Sequence, residues 1–143
     1  MKRMSKATIV VAVFFLIMAA HGAWAADNGN GTVTVDGLVW LKDAGCLTRG
    51  SWDQVKSQAA SLKSGQCGLT DGSSAGQWRL PTSVELYRRY GNCGEFSNVQ
   101  MSDYWSSTPG STSEYALVVN MQYGYEIGMK TWGLGYAWPV RNP

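Results

Sequence analysis

The amino-acid sequence predicts an α+β fold: two helices in the first half, then a run of mostly antiparallel short strands. Three observations carry this. Two capping-box signatures open helices, at Ser51/Gln54 and Thr82/Glu85. The last third alternates apolar and polar residues between glycines rather than repeating at helical spacing. An Asp36-Gly37 dipeptide between two apolar runs marks a tight hairpin.

The stretch Gln77 to Tyr87 joins the two halves. Trp78 and Leu80 fall on one side at period two, as in a short buried strand. Pro81 has no amide to donate, so it ends the ladder and holds Leu80 extended. Thr82 then caps a helix, a contribution of about 1 kcal/mol, and Gly91 is its expected stop after Tyr90.

In chain order, Lys2, Arg3 and Lys6 precede an uncharged apolar run from Ala7 to Ala20. The run is short for a bilayer, which takes roughly 20 residues. Ala23-Trp24-Ala25 supplies the small-x-small cleavage pattern, so residues 1–25 read as a secretory signal. Residues 26–143 form one domain. An uncleaved signal would be its one route to a membrane.

Removing the signal changes the charge. The whole chain carries 12 − 10 = +2, but three basic residues lie in the signal, leaving 9 − 10 = −1. That balance argues against a nucleic-acid partner. The one histidine, His21, also leaves with the signal.

Asp27 to Gly31 alternates polar residues and glycine, and reads as a turn rather than a calcium loop. Strands are expected over Thr32–Val35 and Leu38–Leu41. Trp52, Val55, Ala59 and Leu62 form one apolar stripe on a helix ending near Lys63. Ser64 to Gly76 is a Gly- and Ser-rich loop, and Asn92 to Asp103 is irregular. Strands follow at 104–107, 114–121, 125–129 and 135–141 in an antiparallel meander.

Three cysteines remain after the signal, which predicts one disulfide and one leftover thiol in an exported chain. Cys46 and Cys67 flank the first helix, and a bridge between them would clamp its ends. Closing a loop of that length contributes about 3 kcal/mol in the chain-entropy picture. Cys93 is then a free thiol with no histidine to activate it.

The available chemistry is narrow. There is no Ser-His or Cys-His couple, no zinc spacing, no phosphate loop and no dinucleotide fingerprint. No cofactor is implied. The carboxylates Asp43, Asp53, Glu85, Asp103, Glu114 and Glu126 are scattered, and a glycosidase-like pair among them is the least favoured reading. Aromatic residues with a polar handle are abundant instead: after the signal, six Trp and seven Tyr remain against one Phe, Phe96. Such side chains suit surfaces that are half buried and half wet. Trp40, Trp52 and Trp78 lie in helix or strand patterns and are assigned to the core. Tyr123, Tyr125, Lys130, Trp132 and Tyr136 lie in or beside the late turns, and form the candidate ligand face.

The segments Gly37 to Ala44, Trp78-Arg79-Leu80-Pro81-Thr82, Tyr104-Trp105-Ser106-Ser107 and Trp138-Pro139-Val140-Arg141 together resemble one family. It is the Lcl C-terminal domain family, named for the C-terminal domain of a bacterial collagen-like adhesin. The resemblance covers roughly Asn28 to Asn142. It implies a C-type-lectin-like fold in the variant seen in formylglycine-generating enzymes, with N- and C-terminal strands paired and loops forming a ligand face. It also implies secretion. No Gly-X-Y stalk precedes the domain here, so the adhesin's trimerisation is not carried over. The cysteines match no metal-binding pair of those enzymes. Some members end in a cysteine-containing strand where Pro139 stands, which leaves Cys93 without an obvious partner. The family offers no established catalytic residues to transfer.

Two functions are thus expected from different classes. One is a secreted or periplasmic, non-catalytic binding module for glycan or another surface polymer. The other is a structural or interaction subunit of a surface assembly that holds a protein partner. The address is testable first: exported protein should begin at Ala26 by N-terminal sequencing, whereas material beginning at Met1 would identify an uncleaved anchor.

Overall fold

Asp36 and Gly37 both sit at positive φ, 53° and 74°. This is the type I′ geometry whose twist suits a two-residue hairpin. In the computed structural model, which describes residues 24–143, the turn joins the second and third strands of a four-stranded sheet. Its strands in chain order are β1 (Ala26–Asp27), β2 (Thr32–Val35) and β3 (Leu38–Leu41), with a C-terminal strand beyond. The register runs from Val35↔Leu38 at the turn to Thr32↔Leu41. β1 has no signal in the sequence. It pairs with β2 through Ala26↔Thr34 and Asp27↔Val33, and a Lys42–Asp27 ion pair closes over it. Of the expected signal, only Trp24 and Ala25 fall among the described residues.

Both helices start where the sequence places them. Ser51 caps α1 (Trp52–Ser61) and Thr82 caps α2 (Ser83–Tyr87), each in a reciprocal box with Gln54 or Glu85. On α1, Val55 and Ala59 are buried, with Leu62 just beyond, while Trp52 is half-buried and donates its indole N–H to the Ser106 carbonyl at 2.8 Å. α2 is shorter than expected. Past Tyr87 the chain tightens into i→i−3 bonds, Arg89 N–H to Leu86 O and Tyr90 N–H to Tyr87 O, before Gly91 turns it at φ 73°.

The second sheet has the order β4-β5-β6, built from β4 (Asp103–Pro109), β5 (Tyr115–Asn120) and β6 (Glu126–Lys130). The strand expected at 135–141 meets it only through a single parallel bridge, Tyr136 to Tyr104. Gly135 instead exchanges backbone bonds with Gly50, and Tyr136 with Asp103 and Trp105. The chain then crosses to the first sheet as β7 (Val140–Arg141), antiparallel to β3. Pro139, which has no amide, stands at the crossing. All strand pairs in the two sheets are antiparallel, and the fold is α+β with two helices and seven short strands. The pairing of β3 with β7 is the junction of N- and C-terminal strands that the resemblance implies.

The strand expected around Trp78 shrinks to a single bridge. Arg79 and Val140 exchange N–H···O bonds, both 2.9 Å. A turn through Ala75–Gln77 before it and Pro81 after it leave no room for a longer ladder. The segment still does what its pattern requires. Trp78 enters a core with Trp40, Leu86, Tyr104 and Trp138, while Leu80 enters a second one with Val55, Ala59, Trp105 and Val118.

These cores are aromatic, and apart from the buried Trp40 Nε1 their ring polar atoms have partners. Trp40 and Phe96 meet Trp138 edge-on, at 5.5 and 4.8 Å between centroids. Trp138 donates to Leu41 O, Trp105 to Gly50 O and Trp78 to Ser73 Oγ. Tyr104 donates to Ala44 O and accepts from the Gln100 amide, and burial pushes its phenol pKa up. The Cys46–Cys67 disulfide forms across α1 as expected. The 64–76 loop beyond it is ordered. Asp71 accepts from Arg141 Nη2 at 2.9 Å and from Ser73, and these bonds outweigh burial to hold its carboxyl below the usual range. Cys93 is free and half-buried; its thiol donates to Arg89 O at 3.0 Å, and burial raises its pKa.

At the joint, Arg79 grips Glu85 with both guanidinium nitrogens, at 2.8 and 3.0 Å. That grip, together with the capping bonds, holds the Glu85 carboxyl below its ordinary 4.5. A depressed carboxylate pKa adds stability above the unfolded value, and the gain is lost as pH falls through the folded one. Glu85→Gln keeps the capping geometry but removes the charge. It should cost under about 1 kcal/mol at pH 7 because the pair is partly exposed, and denaturant melts of the two proteins should converge below about pH 4.

Candidate functional site

The late turns and β6 place four of the five candidate residues at two ends of one strand. Tyr123 and Tyr125 lie before β6, and Lys130 and Trp132 at its far end. The five extended residues of β6, roughly 17 Å of strand, lie between Tyr125 and the turn that carries Trp132. The two ends do not form one site.

The first end is a tyrosine surface. Asn120 holds the turn, its side-chain oxygen accepting from the Gln122 and Tyr123 amides and its backbone carbonyl from Gly124. Tyr123 and Tyr125 then project with parallel rings, 6.3 Å between centroids and 9° between planes. Tyr123 is 67% exposed. Gly124 lies between them at φ 71°, and a Cβ there would come 2.3 Å from the Tyr90 ring. That close approach joins the turn to the end of α2, where Tyr87 and Tyr90 are exposed with centroids 6.5 Å apart. The sequence reading missed Tyr87 and Tyr90. Their i, i+3 spacing puts them on one helical face, but nothing in the sequence shows which face the core leaves open.

The second end is a cation among rings. Lys130 Nζ bonds Glu114 at 3.0 Å, and lies 4.3 Å from the Tyr115 ring centroid and 5.0 Å from that of Trp132. Bonds to Tyr115 and Glu114 raise its pKa. Trp132 is 64% exposed. Lys130 is therefore engaged with its own neighbours rather than reaching outward. Tyr136 belongs to neither end: its half-buried ring packs 5.6 Å from Tyr104, with the Arg49 guanidinium 5.9 Å above.

Beside the tyrosine surface, an open groove of about 530 Å³ runs between the hairpin turn and the segment after α2. Asp36, Arg88, Arg89, Asn92 and Glu95 contribute to its walls. Arg89 is committed to the fold, being 3% exposed, bonded to Asp36 at 2.6 Å and stacked 5.3 Å from the Trp40 ring. Among the described residues, no three His, Cys, Asp or Glu side chains converge to hold a metal, and no helix is long and apolar enough to cross a membrane.

Residues 22–141 match the family described as the Lcl C-terminal domain. The chain belongs to the Lcl C-terminal domain family. No curated protein matches it. The four segments that resemble this family all occupy the scaffold: β3, the Arg79 bridge with its helix cap, β4, and the approach to β7. Trp40, Trp78, Trp105 and Trp138 from these segments are buried. None of the five candidate ligand residues lies in them. The family match spans frame and exposed rings alike, and the four segments lie in the frame.

The exposure of Trp132 has a direct consequence. Trp132→Ala should cost under about 1 kcal/mol, as surface truncations do, and leave the melting temperature within a few degrees by calorimetry. A collapse of the domain would show that the ring is a packing element.

Proposed function

We propose that this Lcl C-terminal domain is an exported, non-catalytic binding module whose ligand is a glycan or another surface polymer. The observation that carries this is the tyrosine surface: Tyr123 and Tyr125 with parallel rings, continued by Tyr87 and Tyr90. Phenol rings offer flat apolar faces to stack on the C–H faces of sugars, and hydroxyls to bond at the rim. An open surface suits a chain that passes across it, whereas a small molecule calls for an enclosed pocket.

Two further features support the reading. Of the six scattered carboxylates, Asp53 pairs with Lys56, Glu85 with Arg79 and Glu114 with Lys130, while Asp43 accepts from Asn98 and Asp103 from Asn120; Glu126 alone has no partner among the described residues. The Cys46–Cys67 disulfide suits an oxidising compartment and so a secreted or periplasmic address. A protein partner in a surface assembly is the second reading, favoured by exposed Leu134 beside Trp132 at the other end of β6.

Replacing both Tyr123 and Tyr125 by Ala should abolish retention on a glycan array while leaving the melting temperature within a few degrees. Each stacked ring lost should weaken binding by about 0.5–1.5 kcal/mol. Unchanged retention would remove the tyrosine surface from consideration, and stoichiometric capture of one envelope protein would favour the second reading.

A further inference from the structure

β6 ends its sheet with one long edge unpaired. The bonds at its limits, Asn120 N–H to Tyr125 O and Thr131 N–H to Glu114 O, fix which backbone groups face β5. Odd-numbered residues bond inward, so the N–H groups of Glu126, Gly128 and Lys130 point out from the edge. Of the usual defences β6 has its short length and the charges of Glu126 and Lys130 at its ends. β6 has no proline, and its pairing with β5 runs without a register shift.

The side chains on this edge are self-complementary. Ile127 faces the same side as Met129, opposite the buried Val118 and Ala116. It remains 54% exposed because the sheet stops there. Glu126 is exposed and makes no ion pair among the described residues. Laid antiparallel to itself about Gly128, the strand sets Glu126 against Lys130 twice and Ile127 against Met129 twice. The same register pairs the outward groups of Gly128 with those of its counterpart, and aims the Lys130 N–H at the Glu126 carbonyl; the Lys130 carbonyl already accepts the Gly133 N–H at 2.8 Å. Backbone pairing at Gly128 and apolar cover at Ile127 and Met129 thus agree on one register, in which Glu126 of one copy meets the Lys130 that Glu114 already holds.

We infer that β6 is a homodimerisation edge, on which a second copy of this chain pairs antiparallel through a two-fold axis at Gly128, fusing two three-stranded sheets into one. The contact is isologous, so it closes at two copies and does not propagate. A five-residue strand buries little beside the roughly 1,600 Å² of a standard interface, so the dimer is concentration-dependent.

Gly128 makes the register testable. A Cβ there would have the Tyr115 side chain 3.8 Å away, an ordinary contact. Facing residues in a hydrogen-bonded antiparallel pair have Cα atoms about 5.5 Å apart, within disulfide reach. In a Cys93→Ser background, Gly128→Cys should give a covalent dimer under mild oxidation, and Ser57→Cys on exposed α1 should not. Sedimentation velocity of the protein without added cysteines should show monomer passing to dimer with concentration. Ile127→Lys, with its melting temperature checked to confirm folding, should raise the dissociation constant about tenfold or more, or 1.4 kcal/mol. A protein that stays monomeric throughout overturns the proposal. So does a dimer indifferent to Ile127→Lys in which Gly128→Cys crosslinks no better than Ser57→Cys.

Discussion

Arg79 and Val140 exchange two backbone hydrogen bonds, and the rest of the domain is arranged about that exchange. Val140 is also the point at which β7 meets Trp40 of the N-terminal hairpin. The bridge therefore seats the middle of the chain against a sheet already made from its two ends. Two residues on, Pro81 O accepts the Ser107 amide at 2.7 Å and fastens the same segment to the second sheet. The Arg79 side chain runs the other way, to the Glu85 that closes the cap of α2. Trp78 and Leu80, one on each side of Arg79, fill different cores. Few other short stretches of this chain could be lost with so many dependants.

The parts of the fold legible in the sequence are those fixed by neighbours in the chain. The Asp36-Gly37 hairpin and both capping boxes each rest on backbone preferences within a few residues, whereas α2 ends at Tyr87, short of the expected Gly91 stop. The disulfide was legible because an exported chain with three cysteines has few pairings and one pair brackets a helix. What failed needed long-range information. The extended pattern at Trp78 is real, but whether it becomes a strand depends on how much backbone lies opposite it, and only Val140 does. The run after Gly133 alternates like a meander strand, yet it touches β4 at Tyr136 alone, and the bonds of Gly135 to Gly50 and of Val140 to the first sheet draw the rest away. The ligand face suffered likewise. Periodicity marks aromatics near turns, but Tyr136 turns inward on Tyr104 while Tyr87 and Tyr90 stay out.

A consequence for function is that frame and face separate cleanly. Buried tryptophans, each with its own packing geometry, define the frame. The exposed rings sit on the β5–β6 turn, on the segment after β6 and at the end of a five-residue helix, where side chains meet few packing constraints. Such a surface can be re-lettered without disturbing the cores, so a shared fold in this family need not mean a shared ligand.

The unpaired Cys93 bears on how the chain reaches this state. Thiol–disulfide exchange proceeds through the thiolate, so a sulfhydryl whose pKa is raised by burial attacks slowly. Its hydrogen bond to the Arg89 carbonyl further holds the sulfur in place. Once folded, the domain therefore keeps its odd cysteine from reshuffling the Cys46–Cys67 bond. The danger lies earlier, while all three sulfurs are free to meet. Folding around Arg89 takes the Cys93 sulfur out of that competition and leaves the other two to each other.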